Sequence, residues 1–142
     1  MILIDTGFIV AAAIEDDEHH KRCAIELSKL IAKKETLLLP ATVTAEVGYM
    51  LYHEGGTSAE ITFLESVASG ELQPVELLTE DYARMAVLAK KYSSFPLGTT
   101  DASVIAIAER LDISTIATVD RRHFTVVRPK HQKAFNLLPE VL

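Results

Sequence analysis

The segment ILID, residues 2–5, is a short apolar run that ends in a carboxylate. An apolar run without polar alternation is typical of a strand that is covered on both faces of a sheet. A second segment of this kind, TLLLP at residues 36–40, is stopped by a proline. Further strands are predicted at residues 72–78 and 114–119, with a short fifth strand at an edge over residues 124–127. The chain therefore predicts a sheet of four to five strands.

Helical patterns lie between these runs. The predicted helices cover residues 20–33, the segment after Thr42, the segment from Thr57 to a stop at Gly70, the segment that starts at Thr79, and residues 100–111. Gly55 and Gly56 separate the second helix from the third, which predicts a helical hairpin. Strands that alternate with helices predict a mainly parallel sheet between two helical layers, a three-layer α/β/α domain. We expect residues 1–142 to form this single domain.

Composition excludes several classes of protein. The hydrophobic fraction is 49% and the charged fraction is 24%, which excludes general disorder. The single cysteine, Cys23, excludes an internal disulfide and a cysteine-rich zinc site. The longest stretch without a charge, residues 36–45, is too short to span a bilayer. The MILID start lacks the basic residues of a secretory signal, so we expect a cytoplasmic protein without a membrane partner.

The charge of the chain is unevenly distributed. The formal net charge is −6 and the isoelectric point is near 5.3, so the molecule as a whole should repel nucleic acid. Residues 121–133 nevertheless contain five cations and no acid, a local charge of +5: Arg121, Arg122, Arg128, Lys130 and Lys133. The sequence leaves open a solvated strip or a site for a polyanion.

Four acids lie where the apolar patterns leave them in unusual places. Asp5 and Asp120 end predicted strands, and carboxyl ends of parallel strands face the ligand crevice of an open sheet. Glu46 is expected to point along the apolar stripe of its helix, and Asp101 lies in the first turn of the last helix. Each has an ordinary alternative, as a turn, cap or surface residue. If the four converge, they repel one another, and either some of them take up protons or a cation neutralises them.

Oxygen ligands without histidine or cysteine favour a hard divalent cation, Mg²⁺ or Mn²⁺. Such a site serves phosphoryl transfer or phosphodiester hydrolysis. No phosphate-binding GxxxxGK[ST] loop occurs, and Gly7 stands where a dehalogenase-type phosphatase requires a second aspartate. The acidic stretch EDDEHHKR, residues 15–22, is a weaker metal candidate because adjacent histidines diverge by about 100° on a helix.

Four segments carry a family resemblance: ILIDTG at residues 2–7, TAEVGYML at 44–51, TTDASVIAIAERL at 99–111 and ATVDRRHF at 117–124. They resemble, in the family's order, the motifs of PIN-domain nucleases, and especially of VapC-type toxins of toxin-antitoxin pairs. The resemblance implies that Asp5, Glu46, Asp101 and Asp120 are the catalytic and metal-binding acids. Thr6 fills the hydroxyl position that follows Asp5, and Thr118 matches the threonine of the TxD pattern that ends at Asp120.

The resemblance further implies a metal-dependent endoribonuclease, a homodimer and a cognate VapB-like antitoxin. Gly7 departs from the polar residue of many members, and residues 97–100 lack the further acid that some members carry, which weakens the case for a second metal. Arg121 and Arg122 directly follow a proposed ligand and are candidates for RNA binding. Two alternatives stay open: an RNA-processing nuclease without an antitoxin, and a non-catalytic module that binds RNA or a protein.

Overall fold

Five short strands form one sheet in which every neighbouring pair is parallel. The computed structural model describes residues 1–142. The strands are β1 Ile2–Ile4, β2 Leu37–Pro40, β3 Gln73–Val75, β4 Thr115–Ala117 and β5 Asn136–Leu138, in the spatial order β3-β2-β1-β4-β5. All residues of β1 and β2 are buried, as their uniformly apolar sequences predict. The predicted mainly parallel sheet is confirmed.

Six helices flank the sheet, in agreement with the predicted three-layer α/β/α class. They are α1 Thr6–Ala13, α2 His20–Ala32, α3 Ala41–Ala68, α4 Thr79–Lys91, α5 Thr99–Leu111 and α6 Arg121–Val126. Helix α1 is not predicted from the sequence, because its residues are almost uniformly apolar and show no helical period. This helix packs against both α2 and α3, which accounts for its apolar character. No helix has the length and apolar character needed to cross a membrane.

The strand order reverses direction at β1. From β1 the chain moves outward to β2 and β3, then returns to place β4 on the other side of β1 and β5 beyond it. Because parallel crossovers are right-handed, the two halves of the chain send their helices to opposite faces of the sheet. In open α/β sheets, ligands bind at such a reversal, outside the carboxyl ends of the strands, which here are the ends of β1 and β4.

The predicted edge strand at residues 124–127 is wrong. Residues 121–126 form α6, because the Asp120 side chain accepts a hydrogen bond from the backbone N–H of His123 at 2.9 Å and caps the helix. This local cap outweighs the strand preference of Val126 and Val127. The fifth strand is Asn136–Leu138, which pairs with β4 at that edge of the sheet.

The glycine break in the second helical region is confirmed. Helix α3 is interrupted at Gly56, whose φ of 73° and ψ of −173° lie outside the helical region and favour glycine. The helix starts at Ala41, directly after Pro40, rather than after Thr42. The predicted stop at Gly70 has a φ of 85°, a left-handed conformation that glycine adopts after helix ends.

Candidate metal centre

Asp5 follows β1 directly and is 5% exposed. It occupies the N-cap position of α1, yet its side chain makes no capping hydrogen bond to that helix. Instead, Thr118 Oγ1 donates a hydrogen bond to Asp5 Oδ2 at 2.8 Å. The same hydroxyl accepts a hydrogen bond from the backbone N–H of Asp120 at 2.9 Å. The buried Thr118 hydroxyl therefore joins the end of β1 to the segment that follows β4.

His123 bridges two of the predicted acids. Its Nδ1 lies 2.7 Å from Asp120 Oδ2 and 2.9 Å from Asp101 Oδ2. One potential ligand atom from each of these three residues lies within 4.8 Å of the others. Asp101 reaches this position from the first turn of α5, and Asp120 reaches it from the start of α6. The arrangement brings two carboxylates that are 19 residues apart in sequence to one imidazole.

Glu46 corrects one expectation, because it is exposed rather than directed along the apolar stripe of its helix. The buried stripe of α3 runs through Val43, Val47 and Leu51. Glu46 precedes Val47 by one position and therefore lies at the side of the stripe. Its Oε2 accepts a hydrogen bond from Thr100 Oγ1 at 3.0 Å, which links α3 to the start of α5.

Burial and mutual repulsion raise the pKa of two of the four carboxyls. Burial, together with the charges of Asp120 and Glu46, raises the pKa of Asp5 to about 6. The hydrogen bond from Thr118 acts in the opposite direction. Burial also raises the pKa of Asp101 to about 7, with the charges of Asp5, Asp120 and Glu46 acting in the same direction. The charges of Asp120 and Glu46 therefore act on both Asp5 and Asp101.

The donor set suits a hard divalent cation. Carboxylate oxygens are the ligands that Mg²⁺ and Mn²⁺ prefer in proteins. A bound cation would offset both the burial and the repulsion that raise the pKa of Asp5 and Asp101. Beside Asp5, the buried Thr6 Oγ1 has no hydrogen-bond partner within the protein. A buried hydroxyl without a partner is uncommon, and it offers a free oxygen next to the first carboxylate.

Gly7 allows α1 to approach the segment that leads to Asp120. A Cβ at Gly7 would lie 2.5 Å from Val119 Cγ2, closer than side-chain carbons approach one another. The absence of a side chain at Gly7 therefore sets how closely the residues after Asp5 and before Asp120 can pack. This close approach is a physical reason for glycine where the resemblance leads us to expect a polar residue.

The two candidate arginines differ in their surroundings. The Arg121 guanidinium donates a hydrogen bond to the backbone carbonyl of Pro139, so it is directed into the protein. Arg122 is exposed, and its Cζ lies 4.8 Å from the centre of the Phe95 ring. Only Arg122 therefore keeps its hydrogen-bond donors free.

His123 and Thr100 lie beside the acids in the structure, although their sequence positions predict no role for them. The available signal for His123 is its position three residues after Asp120, the N-cap to N3 spacing of a helix start. Residues 15–22 do not form a second metal cluster. His20 Nδ1 lies 2.8 Å from the Ala11 carbonyl oxygen, so this ring is held by the backbone.

The parallel sheet and its acidic edge correspond to a known family. Residues 2–128 match the sequence model of the PIN domain family. The match covers most of the chain, and the chain belongs to the PIN domain family.

Among individual proteins, the chain is similar to Ribonuclease VapC26 of Mycobacterium tuberculosis (strain ATCC 25618 / H37Rv). The two are 28% identical over 141 residues, which covers 97% of this chain and 100% of the relative.

Two solved structures share the fold. Mycobacterium tuberculosis VapC20, a sarcin-ricin loop cleaving toxin, matches with a TM-score of 0.71 and 17% identity, covering 82% of this chain and 87% of that one. VapBC2 from Rickettsia felis, bound to a DNA fragment from its promoter, matches with a TM-score of 0.68 and 17% identity. The match covers 96% of this chain and 98% of that one. At these identities the likeness concerns the fold alone.

Proposed function

We propose that this PIN domain is a metal-dependent endoribonuclease and the toxin of a VapBC-type pair. The observation that carries the proposal is the set of contacts that join the four acids: Thr118 links Asp5 to Asp120, His123 links Asp120 to Asp101, and Glu46 contacts Thr100, the neighbour of Asp101. Buried or crowded carboxylates are costly to a fold, so their presence together favours a catalytic site over a binding module that does not cut. The similarity to Ribonuclease VapC26 supports RNA as the substrate.

In this proposal Asp5, Asp101 and Asp120 hold the cation, and Thr118 orients Asp5 through its hydroxyl. A bound Mg²⁺ or Mn²⁺ would polarise the scissile phosphate, lower the pKa of the attacking water and neutralise charge on the leaving oxygen. His123 keeps Asp101 and Asp120 directed toward each other in the metal-free protein. Thr6 supplies a further oxygen beside Asp5.

Glu46 positions the attacking water. Its Oε2 accepts a hydrogen bond from Thr100, which leaves Oε1 free to accept one from water. The water oxygen forms the new bond to phosphorus, the bond from phosphorus to the 3′-oxygen breaks, and a proton goes to that oxygen. The products are a 5′-phosphate and a 3′-hydroxyl.

Two partners follow from the same proposal. The four segments that resemble VapC-type toxins and the similarity to Ribonuclease VapC26 support a cognate VapB-like antitoxin. We also expect a homodimer, which light scattering of the purified protein would measure. An RNA-processing nuclease without an antitoxin would have the same site, and it is distinguished by whether co-expression of the neighbouring small reading frame suppresses cleavage.

The proposal is tested by incubating total cellular RNA with the purified protein in Mg²⁺, in Mn²⁺ or in EDTA. Asp5→Asn is the test variant, and Asp16→Asn is the matched control because Asp16 is exposed and makes no hydrogen bond. We expect discrete fragments that require metal, disappear with Asp5→Asn and persist with Asp16→Asn. Cleavage by Asp5→Asn, or cleavage in EDTA, would contradict the assigned site.

A further inference from the structure

Arg122 is one of two arginines that donate no hydrogen bond within the protein. The other four of the six arginines donate to protein acceptors: Arg84 to Glu109, Arg110 to Asp81, Arg121 to Pro139 and Arg128 to Thr125. Arg22, the second free arginine, lies on α2 and lines a groove that none of the four acids borders. Arg122 is therefore the free guanidinium closest in sequence to the acids.

One aromatic ring contacts both Arg122 and His123. The Arg122 Cζ lies 4.8 Å from the centre of the Phe95 ring. The Phe95 and His123 rings meet edge to face, with their centres 5.0 Å apart and their planes at 65°. His123 in turn contacts Asp101 and Asp120. Phe95, in the loop before α5, thus connects the exposed guanidinium to the acidic site through one imidazole.

Packing over the ring affects how Arg122 can bind a ligand. A guanidinium over an aromatic ring is attracted to the ring's π electrons and loses part of its rotational freedom. Its N–H groups have no acceptor within the protein and remain available to a ligand. A side chain that is ordered before binding loses less conformational entropy when it binds. The planar arrangement of these donors suits the oxygens of a phosphate.

We propose that Phe95 and Arg122 form a phosphate-binding subsite for RNA beside the acidic site. Arg122 contacts the phosphate, and Phe95 is a positioning residue that holds both Arg122 and His123. This inference rests on the proposed function, because it assumes that RNA reaches the acids. Charge favours a polyanion such as RNA over a neutral or basic protein surface as the occupant: residues 121–133 carry +5, while the whole chain carries −6.

Binding to RNA tests the subsite without requiring cleavage. The probe is a fluorescent oligouridylate of about twelve nucleotides, a length typical of single-strand binding sites. Every variant is made in an Asp5→Asn background, so the probe stays intact. The dissociation constant is measured over a series of salt concentrations. Thermal unfolding of each variant confirms that it is folded.

Arg122→Ala should reduce the slope of log affinity against log salt by about 0.7, the value for one contact to a single-strand phosphate. Phe95→Leu should weaken binding about two- to fivefold at fixed salt, since Arg122 remains but loses its ring. Phe95→Tyr should restore binding, because tyrosine keeps the aromatic face. Arg22→Ala is the matched control, an equally free arginine away from the acids, and should change the slope less than Arg122→Ala.

The outcomes separate the subsite from the proposed function. An unchanged salt slope in Arg122→Ala, or an equal loss in Arg22→Ala, would overturn the subsite even if the protein cuts RNA. Phe95→Leu that binds like its parent would overturn the role of Phe95. If the protein cuts no RNA but its salt slope still depends on Arg122, the subsite stands and the proposed nuclease activity is wrong. In the cleaving protein, Phe95→Leu should raise KM more than it lowers kcat.

Discussion

Replacement of Asp5 by asparagine should stabilise the metal-free protein at neutral and alkaline pH. The carboxylate is 5% exposed and its pKa is raised from 3.8 to about 6. A shift of about two units corresponds to about 3 kcal/mol, because each unit is worth about 1.4 kcal/mol. Asparagine is neutral and can still accept the hydrogen bond from Thr118 through its side-chain oxygen.

The sign of the effect follows from proton binding. Between about pH 4 and pH 6 the folded protein keeps the Asp5 proton while the unfolded chain has lost it. The unfolding free energy contributed by Asp5 therefore falls as the pH rises through this range, and it stays low above about pH 6. In Asp5→Asn the unfolding free energy no longer decreases for this reason as the pH rises. Asp101, whose pKa is raised to about 7 in part by the charge of Asp5, should also ionise more readily in the variant.

The assay is thermal unfolding followed by circular dichroism in EDTA. At about pH 8 we expect Asp5→Asn to be more stable by about 2–3 kcal/mol, or about 6–10 °C in Tm. At about pH 4.5 the difference should be small, because the carboxyl of the parent is then mostly protonated in the folded state. Asp16→Asn, at an exposed position, is the control. A variant that is no more stable than the parent at about pH 8 would refute the reasoning.

Four further predictions concern residues near the four acids. Gly7→Ala should destabilise the protein by about 1–3 kcal/mol, because the added Cβ overlaps with Val119. Adding Val119→Ala to this variant should restore part of the lost stability. Gly48→Ala, where a Cβ meets nothing within 4 Å, should stabilise by about 0.5–1 kcal/mol, and urea unfolding would measure all three variants. Thr118→Val should cost about 1–3 kcal/mol in the same assay, since a buried carboxylate and a backbone N–H each lose a partner. Mg²⁺ at about one hundred times its dissociation constant should stabilise the parent protein by about 2.7 kcal/mol at about pH 8. The same Mg²⁺ concentration should stabilise Asp101→Asn clearly less. An equal gain in both proteins would show that Asp101 is not a metal ligand.

Short-range patterns were sufficient for much of the fold. The apolar runs that end at Asp5 and Pro40 predict buried strands, and a parallel sheet follows from their alternation with helices. The helix start at Thr79 is also a local property, since acids in the first turn favour that end of the helix. Helix α1 and the helix over residues 121–126 could not be predicted in this way. The first lacks a hydrophobic period, and the second depends on a cap that competes with strand preference.

The sequence established which acids are available and at which ends of helices and strands they stand. It did not establish that they meet, because that depends on β4 returning beside β1 and on contacts such as the one between Asp5 and Thr118, 113 residues apart. Tertiary packing also decided that Glu46 is exposed and bonded to Thr100, and that Arg121 is directed inward while Arg122 lies over Phe95. The physical reason is that local residue patterns determine backbone conformation and the buried face of each element. The direction of a polar side chain at the margin of that face is determined by the donors and acceptors that other elements bring to it.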